Sequence, residues 1–151
     1  MSRAIPQAAL ALGLAGVLPF AWGALTAVLP MLADLAAGVV GARFTGLAVQ
    51  VAYGTVILAF MSGVLWGFAT QAEPAEAGRA YGLSTLPALF VFFFAHGSPE
   101  RAALVLVAGF LGLLALDLAF VRAGLAPPWW MPLRVLLTAL VTLCLVIGLA
   151  A

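Results

Sequence analysis

The sequence predicts an all-α, polytopic helical membrane protein: one integral membrane domain over residues 1–151, built as a bundle of about five transmembrane helices. Three observations predict it. First, 66% of the residues are hydrophobic and only 7% are charged, against about half and about a quarter in soluble domains, so the chain cannot cover a water-facing surface. Second, five apolar stretches reach or approach the ~20 residues needed to cross ~30 Å of hydrocarbon. Third, runs such as Leu89-Phe90-Val91-Phe92-Phe93-Phe94 do not alternate apolar and polar residues, which excludes barrel strands. Helices remain as the form that satisfies every backbone hydrogen bond in lipid. The same composition, with a mean hydropathy of +1.25, excludes disorder.

The first span covers residues 5–29 and is ended by Pro30 and Asp34. Its basic start, Met1-Ser2-Arg3, resembles that of a secretion signal, but its apolar part exceeds the about 7–15 residues of a cleavable one, so a retained span is expected. The second covers 44–69 and gives way to a polar loop, Thr70 to Arg79. The third, 80–96, has a 15-residue apolar part, Tyr81 to Ala95. It crosses only if it stands upright or the bilayer thins, and a re-entrant segment is the alternative. The fourth, 102–121, is preceded by Ser98-Pro99-Glu100, where Ser98 can cap the first turn and Pro99 can take its first helical position. The fifth covers 131–150, and Pro132 can begin it. Short connections make successive helices antiparallel neighbours and leave no room for a soluble catalytic domain.

Five crossings put the termini on opposite faces. Arg3, Arg79, Arg122 and Arg134 fall on the N-terminal side and Arg43 and Arg101 on the other, so the excess of basic residues in cytoplasmic loops predicts a cytoplasmic N-terminus. A net charge of +1 offers nothing to a polyanion, and no nucleic-acid partner is expected. The single cysteine, Cys144, excludes an internal disulfide. The single histidine, His96, has no second ligand at metal or haem spacing, so neither a metal nor a cofactor is expected. No Gly-rich phosphate loop and no Ser, His and Asp at catalytic spacing occurs. The expectation is a protein that is not an enzyme.

Five kinds of residue remain as candidates. Asp117 and Arg134 are the only charged side chains within the spans. They lie near the same membrane face, joined by a nine-residue loop from Arg122 to Trp130, so an ion pair is expected, because an unpaired charge in hydrocarbon costs a few kcal/mol. A structural salt bridge is the plain account; a binding or proton-handling site is the sharper one. Thr138 and Thr142 continue the Arg134 face in steps of four. Trp66 and Tyr81 sit at the same depth, either as belt aromatics at the headgroups or as walls of one polar pocket with Asp117 and Arg134. Ala9, Gly13, Gly16, Phe20 and Gly23 form one stripe on the first span, and Ala59, Gly63 and Gly67 another on the second. Small residues at such spacing let helices pack closely. Pro19 and Pro87 break helical bonds near mid-membrane, as kinks or as the broken helices of transporter sites.

Four segments together resemble an uncharacterised family of small membrane proteins that includes transmembrane protein 69. They are Ile5-Pro6 with the run Leu12 to Phe20; Ile57 to Gly63 with Trp66-Gly67; Tyr81 with Leu86-Pro87; and Asp117 followed by Pro128-Trp129, Leu133-Arg134 and Thr138. The resemblance implies a bundle of about five helices in the bacterial inner (cytoplasmic) membrane or its mitochondrial counterpart, and no reaction. The chain departs from the family in having Leu65 where relatives often have a His before the Trp, and Trp130 where they tend to have a Tyr. The expected function is a non-enzymatic inner-membrane component, accessory to or assembling a larger, respiratory-type complex with other membrane subunits in the lipid bilayer. The alternative is a small carrier or lipid- or quinone-binding protein that uses the polar residues around Asp117 and Arg134.

Overall fold

A computed structural model describes residues 4–151; Met1, Ser2 and Arg3, with their expected part in the charge bias, lie outside the described residues. Among the described residues the chain is helical without strands, and five helical spans are long and apolar enough to cross a membrane: Gln7–Val28, Gly46–Ala69, Pro74–Phe94, Pro99–Arg122 and Trp130–Ala150. The protein is a multi-pass membrane bundle. Large apolar side chains such as Leu12, Met31, Phe60, Phe92 and Leu104 face outward, as they must where the surrounding solvent is acyl chain.

The first span is two helices, α1 (Gln7–Ala15) and α2 (Leu18–Val28). Pro19 has no N–H to return to Ala15, and its ring crowds that carbonyl. The helix therefore tightens through Val17 N–H to Leu14 O (3.0 Å) and restarts with Pro19 in its first turn. The first span ends at Val28, ahead of Pro30 as expected, but Pro30 also starts a further helix. Leu29, ahead of a proline, is pushed out of the helical region (φ −116°, ψ 87°), and Pro30 opens α3 (Pro30–Val40). Eleven residues rise only about 16 Å, so α3 does not cross.

The helix α4 (Gly46–Ala69) is the hub, packed against α2, α5 (Pro74–Phe94), α6 (Pro99–Arg122) and α7 (Trp130–Ala150). Its buried face carries Gln50, Gly54, Leu58, Met61, Leu65 and Ala69, at the three- and four-residue steps of one helical face. Leu58 meets Phe20, Leu106, Phe110 and Leu145 in the core. The third span is longer than expected: α5 starts at Pro74, and its polar first turns, bearing Glu76 and Arg79, bring the helix to 21 residues. At ~1.5 Å per residue that reaches across, which favours a crossing over a re-entrant segment. Within it Pro87 is buried, and the N–H of Ala88 beside it donates to Ser62 Oγ of α4 (2.8 Å).

The expected caps of α6 are present, with Pro99 in the first turn and Ser98 Oγ accepting from the Arg101 N–H (3.3 Å). At its far end Leu125 N–H returns to Phe120 O (3.0 Å) across Gly124 at φ +73°, a left-handed turn that glycine adopts without strain. This turn sends the chain back so that the start of α7 faces the end of α6.

Candidate functional site

That return brings Asp117 and Arg134 together. Arg134 Nε donates to Asp117 Oδ2 at 2.7 Å. Asp117 is 0% exposed and Arg134 5%. The second carboxylate oxygen, Oδ1, accepts from the indole N–H of Trp130 at 2.7 Å. Both oxygens therefore have a donor, and the guanidinium also lies over the Trp130 ring, 5.9 Å from its centroid. Trp130 is held in turn by edge contacts with Phe68 (5.0 Å) and Trp129 (5.9 Å). The indole N–H of Trp130 thus serves the buried carboxylate. Such a pair is stable in a low-dielectric setting only when its remaining polar atoms are satisfied.

They are not all satisfied. Arg134 Nη2 has no partner, and neither have Thr138 Oγ1 and Thr142 Oγ1. Thr138 is 3% exposed. Threonines elsewhere in the bundle fold their hydroxyls back on the preceding turn, as Thr55 does to Val51 O (2.9 Å); Thr138 does not. Both Arg134 and Thr138 line a half-open cavity of about 430 Å³, within the about 300–1,000 Å³ range of small-ligand sites.

The cavity follows from the break at Pro19. Below the break α2 packs on α4 and α7, while α1 leans chiefly on α7, where Gly13 lets Leu137 approach so closely that a Cβ would stand 2.9 Å from its Cδ1. A space is left between α1 and α4. Ala9, Leu12 and Gly16 wall it on one side and Ile57, Phe60 and Val64 on the other, with Phe20 and Phe110 at the base. Along α7 it runs from Trp130 past Arg134 and Thr138 to Val141, so its polar atoms sit toward one membrane face and its depth is hydrocarbon-like.

The single polar pocket expected of Trp66, Tyr81, Asp117 and Arg134 is divided in two. Trp66 and Tyr81 do meet, with ring centroids 4.6 Å apart, but neither lines the cavity. The reason is rotation: Trp66 falls beside the buried face of α4 and remains 49% exposed. Gly63 and Gly67 are on that outer side as well. Nothing lies within 4 Å of a Cβ built on either, so they pack no helix of this bundle, unlike Gly13, Gly16 and Gly23. The break at Pro19 opens the cavity, and beside Pro87 the Ala88 N–H ties α5 to α4 through Ser62 Oγ.

Several buried polar residues, Thr26, Gln50 and Ser84 among them, are not singled out by the sequence, and Gln50 ties the most helices together. Gln50 is 0% exposed, and its Nε2 donates to Phe20 O and Cys144 O (both 2.8 Å), tying α2, α4 and α7 together. Gly23 and Gly148 make room for it; a Cβ on either would overlap the Gln50 side chain. A lone amide inside an apolar run was the available signal, since a polar group in lipid must find partners.

The family described as "Protein of unknown function (DUF3429)" matches residues 5–150. The chain is also similar to transmembrane protein 69 of Xenopus tropicalis, 36% identical over 148 residues. That match covers 93% of this chain and 53% of the relative, so the chain spans about half the length of that protein. No solved structure matches. The chain belongs to the DUF3429 family.

Proposed function

Starting from membership of that family, we propose that this multi-pass membrane protein is a non-enzymatic binder of a lipophilic molecule, a lipid or quinone, held in the cavity between α1, α4 and α7. The observation that carries the reading is Arg134, a residue that lines a mostly apolar cavity and whose buried Nη2 has no protein partner. Leaving such a donor unmet costs about 1–3 kcal/mol or more for a charged group, a cost that a ligand acceptor removes. Asp117 is engaged by two donors, which speaks for a positioning role over proton transfer.

The test is saturable binding of a brominated lipophile in detergent micelles, read as quenching of tryptophan fluorescence in a background where Trp22, Trp66 and Trp129 are replaced by Phe so that Trp130 alone reports. Ala9 lines the cavity on α1, a helix without buried residues, so Ala9→Phe fills the space without disturbing the core. Saturable quenching in the wild type, lost in Ala9→Phe, supports the reading; quenching that is linear in lipophile and equal in both overturns it.

A second reading, the accessory component of a larger complex, is favoured by Ala59, Gly63 and Gly67, which present small residues to the outside of the bundle. It predicts membrane subunits that copurify in fixed ratio and are lost on Gly63→Leu. For location we propose the bacterial inner (cytoplasmic) membrane with a cytoplasmic N-terminus, supported by the arginine bias between the loops.

A further inference from the structure

The same cavity carries information about which lipophile it takes. We infer that it selects a neutral molecule bearing a carbonyl oxygen, a quinone or a glyceride ester, over both an anionic lipid and a plain hydrocarbon; this rests on the lipophile-binding reading above.

The inference follows from how charge is divided at the site. Arg134 is the cationic group lining the cavity, and Asp117, 2.7 Å from its Nε and fully buried, cancels that charge. An anion brought to Nη2 meets attraction from the guanidinium and repulsion from the carboxylate behind it. The repulsion removes a large part of the attraction at these separations, and the anion still has to shed its hydration to enter an apolar cavity. A carbonyl oxygen sheds much less. It accepts a charge-assisted N–H at Nη2, a bond stronger than a neutral one, and Thr138 Oγ1, one turn further along α7, offers a second donor without a protein partner. A hydrocarbon fills the volume but leaves both donors unmet. Tail placement agrees: beyond Thr138 the walls are Val141, Phe20 and Phe110, about 10 Å deeper along α7 than Arg134 at 1.5 Å per residue.

The experiment measures dissociation constants in nanodiscs of zwitterionic lipid for four probes: decylubiquinone, dioleoylglycerol, oleate and squalene. The wild-type protein is expected to bind decylubiquinone or dioleoylglycerol at least about tenfold more tightly than oleate or squalene, the factor a single charge-assisted hydrogen bond supplies. Which of the two neutral carbonyl probes binds more tightly identifies the source. The near-isosteric Thr138→Val is expected to weaken the preferred carbonyl probe about fivefold and to leave squalene unchanged. Asp117→Asn uncovers the guanidinium charge and is expected to shift the preference toward oleate. Thr138→Val removes no charge from the buried pair, so it decides alone where Asp117→Asn fails to fold. Equal binding of squalene and the carbonyl probes, or oleate binding most tightly to the wild type, overturns the selectivity and leaves lipophile binding standing. Absence of binding for all four probes overturns both.

Discussion

Removing the carboxylate of Asp117 is the sharpest perturbation of the bundle. In Asp117→Ala two donors lose their acceptor at once, Arg134 Nε and the Trp130 indole N–H, each now 2.7 Å from it. A guanidinium that is 5% exposed is left uncompensated. Breaking a buried pair from one side costs about 3–5 kcal/mol, chiefly through the stranded charge. Arg134→Met strands the carboxylate instead, though Trp130 still serves Oδ1, so its expected cost is at the lower end of that range. In the double variant no charge remains, and most of the loss is expected to return. The two single costs therefore exceed the double by about 3 kcal/mol or more. Unfolding in mixed micelles, titrated with a denaturing detergent and followed by tryptophan fluorescence, gives the four free energies. Costs that add to within about 0.5 kcal/mol, the behaviour of independent sites, would refute a buried pair.

Other perturbations test the packing. Gly23→Ala places a methyl against Gln50 and the Gly46 carbonyl and is expected to destabilise by about 1–3 kcal/mol, whereas Gly63→Ala and Gly67→Ala, which meet nothing within 4 Å, stay within about 0.5 kcal/mol in the same assay. Ser62→Ala leaves the Ala88 N–H without its side-chain acceptor, with an expected loss of about 1–3 kcal/mol and faster hydrogen exchange around Pro87. Reporter fusions after Gly97 and after Ala151 are expected on the same membrane face, since two full crossings, α6 and α7, separate them; opposite faces would mean that one of those helices does not cross.

Much of this architecture was legible in the sequence because the bilayer imposes length and polarity directly. The bounds of the second, fourth and fifth spans follow from apolar length, helped at the fourth by Ser98 and Pro99, whose conformational preferences act locally; Pro132 falls third in α7, which begins at Trp130. The Asp117–Arg134 pair was legible for a similar reason: two isolated charges at one depth on adjacent helices have few other partners. What was hidden depends on rotation and on what proline does in context. Depth alone grouped Trp66 and Tyr81 with Asp117, but the stripe of Leu58, Met61, Leu65 and Ala69 turns Trp66 outward. Gly63 and Gly67 were grouped with packing glycines by spacing, which does not say which side of the helix has a neighbour. Pro30 looked like a stop, yet proline without a partner N–H is equally suited to begin a helix, and α3 begins there. The polar first turns of α5 were taken as loop because they carry charge, although charged side chains at a helix end can reach the headgroups while the backbone remains helical. The cavity could not be read at all, since it arises from the divergence of α1 from α4 ahead of the break at Pro19.

The most direct test of lipophile binding is native mass spectrometry of the protein released from its own membrane in a mild detergent. A single neutral lipophilic mass per chain is expected on the wild type and absent from Ala9→Phe. A wild-type chain that emerges bare, or that carries the same adducts as the cavity-filled variant, would contradict it.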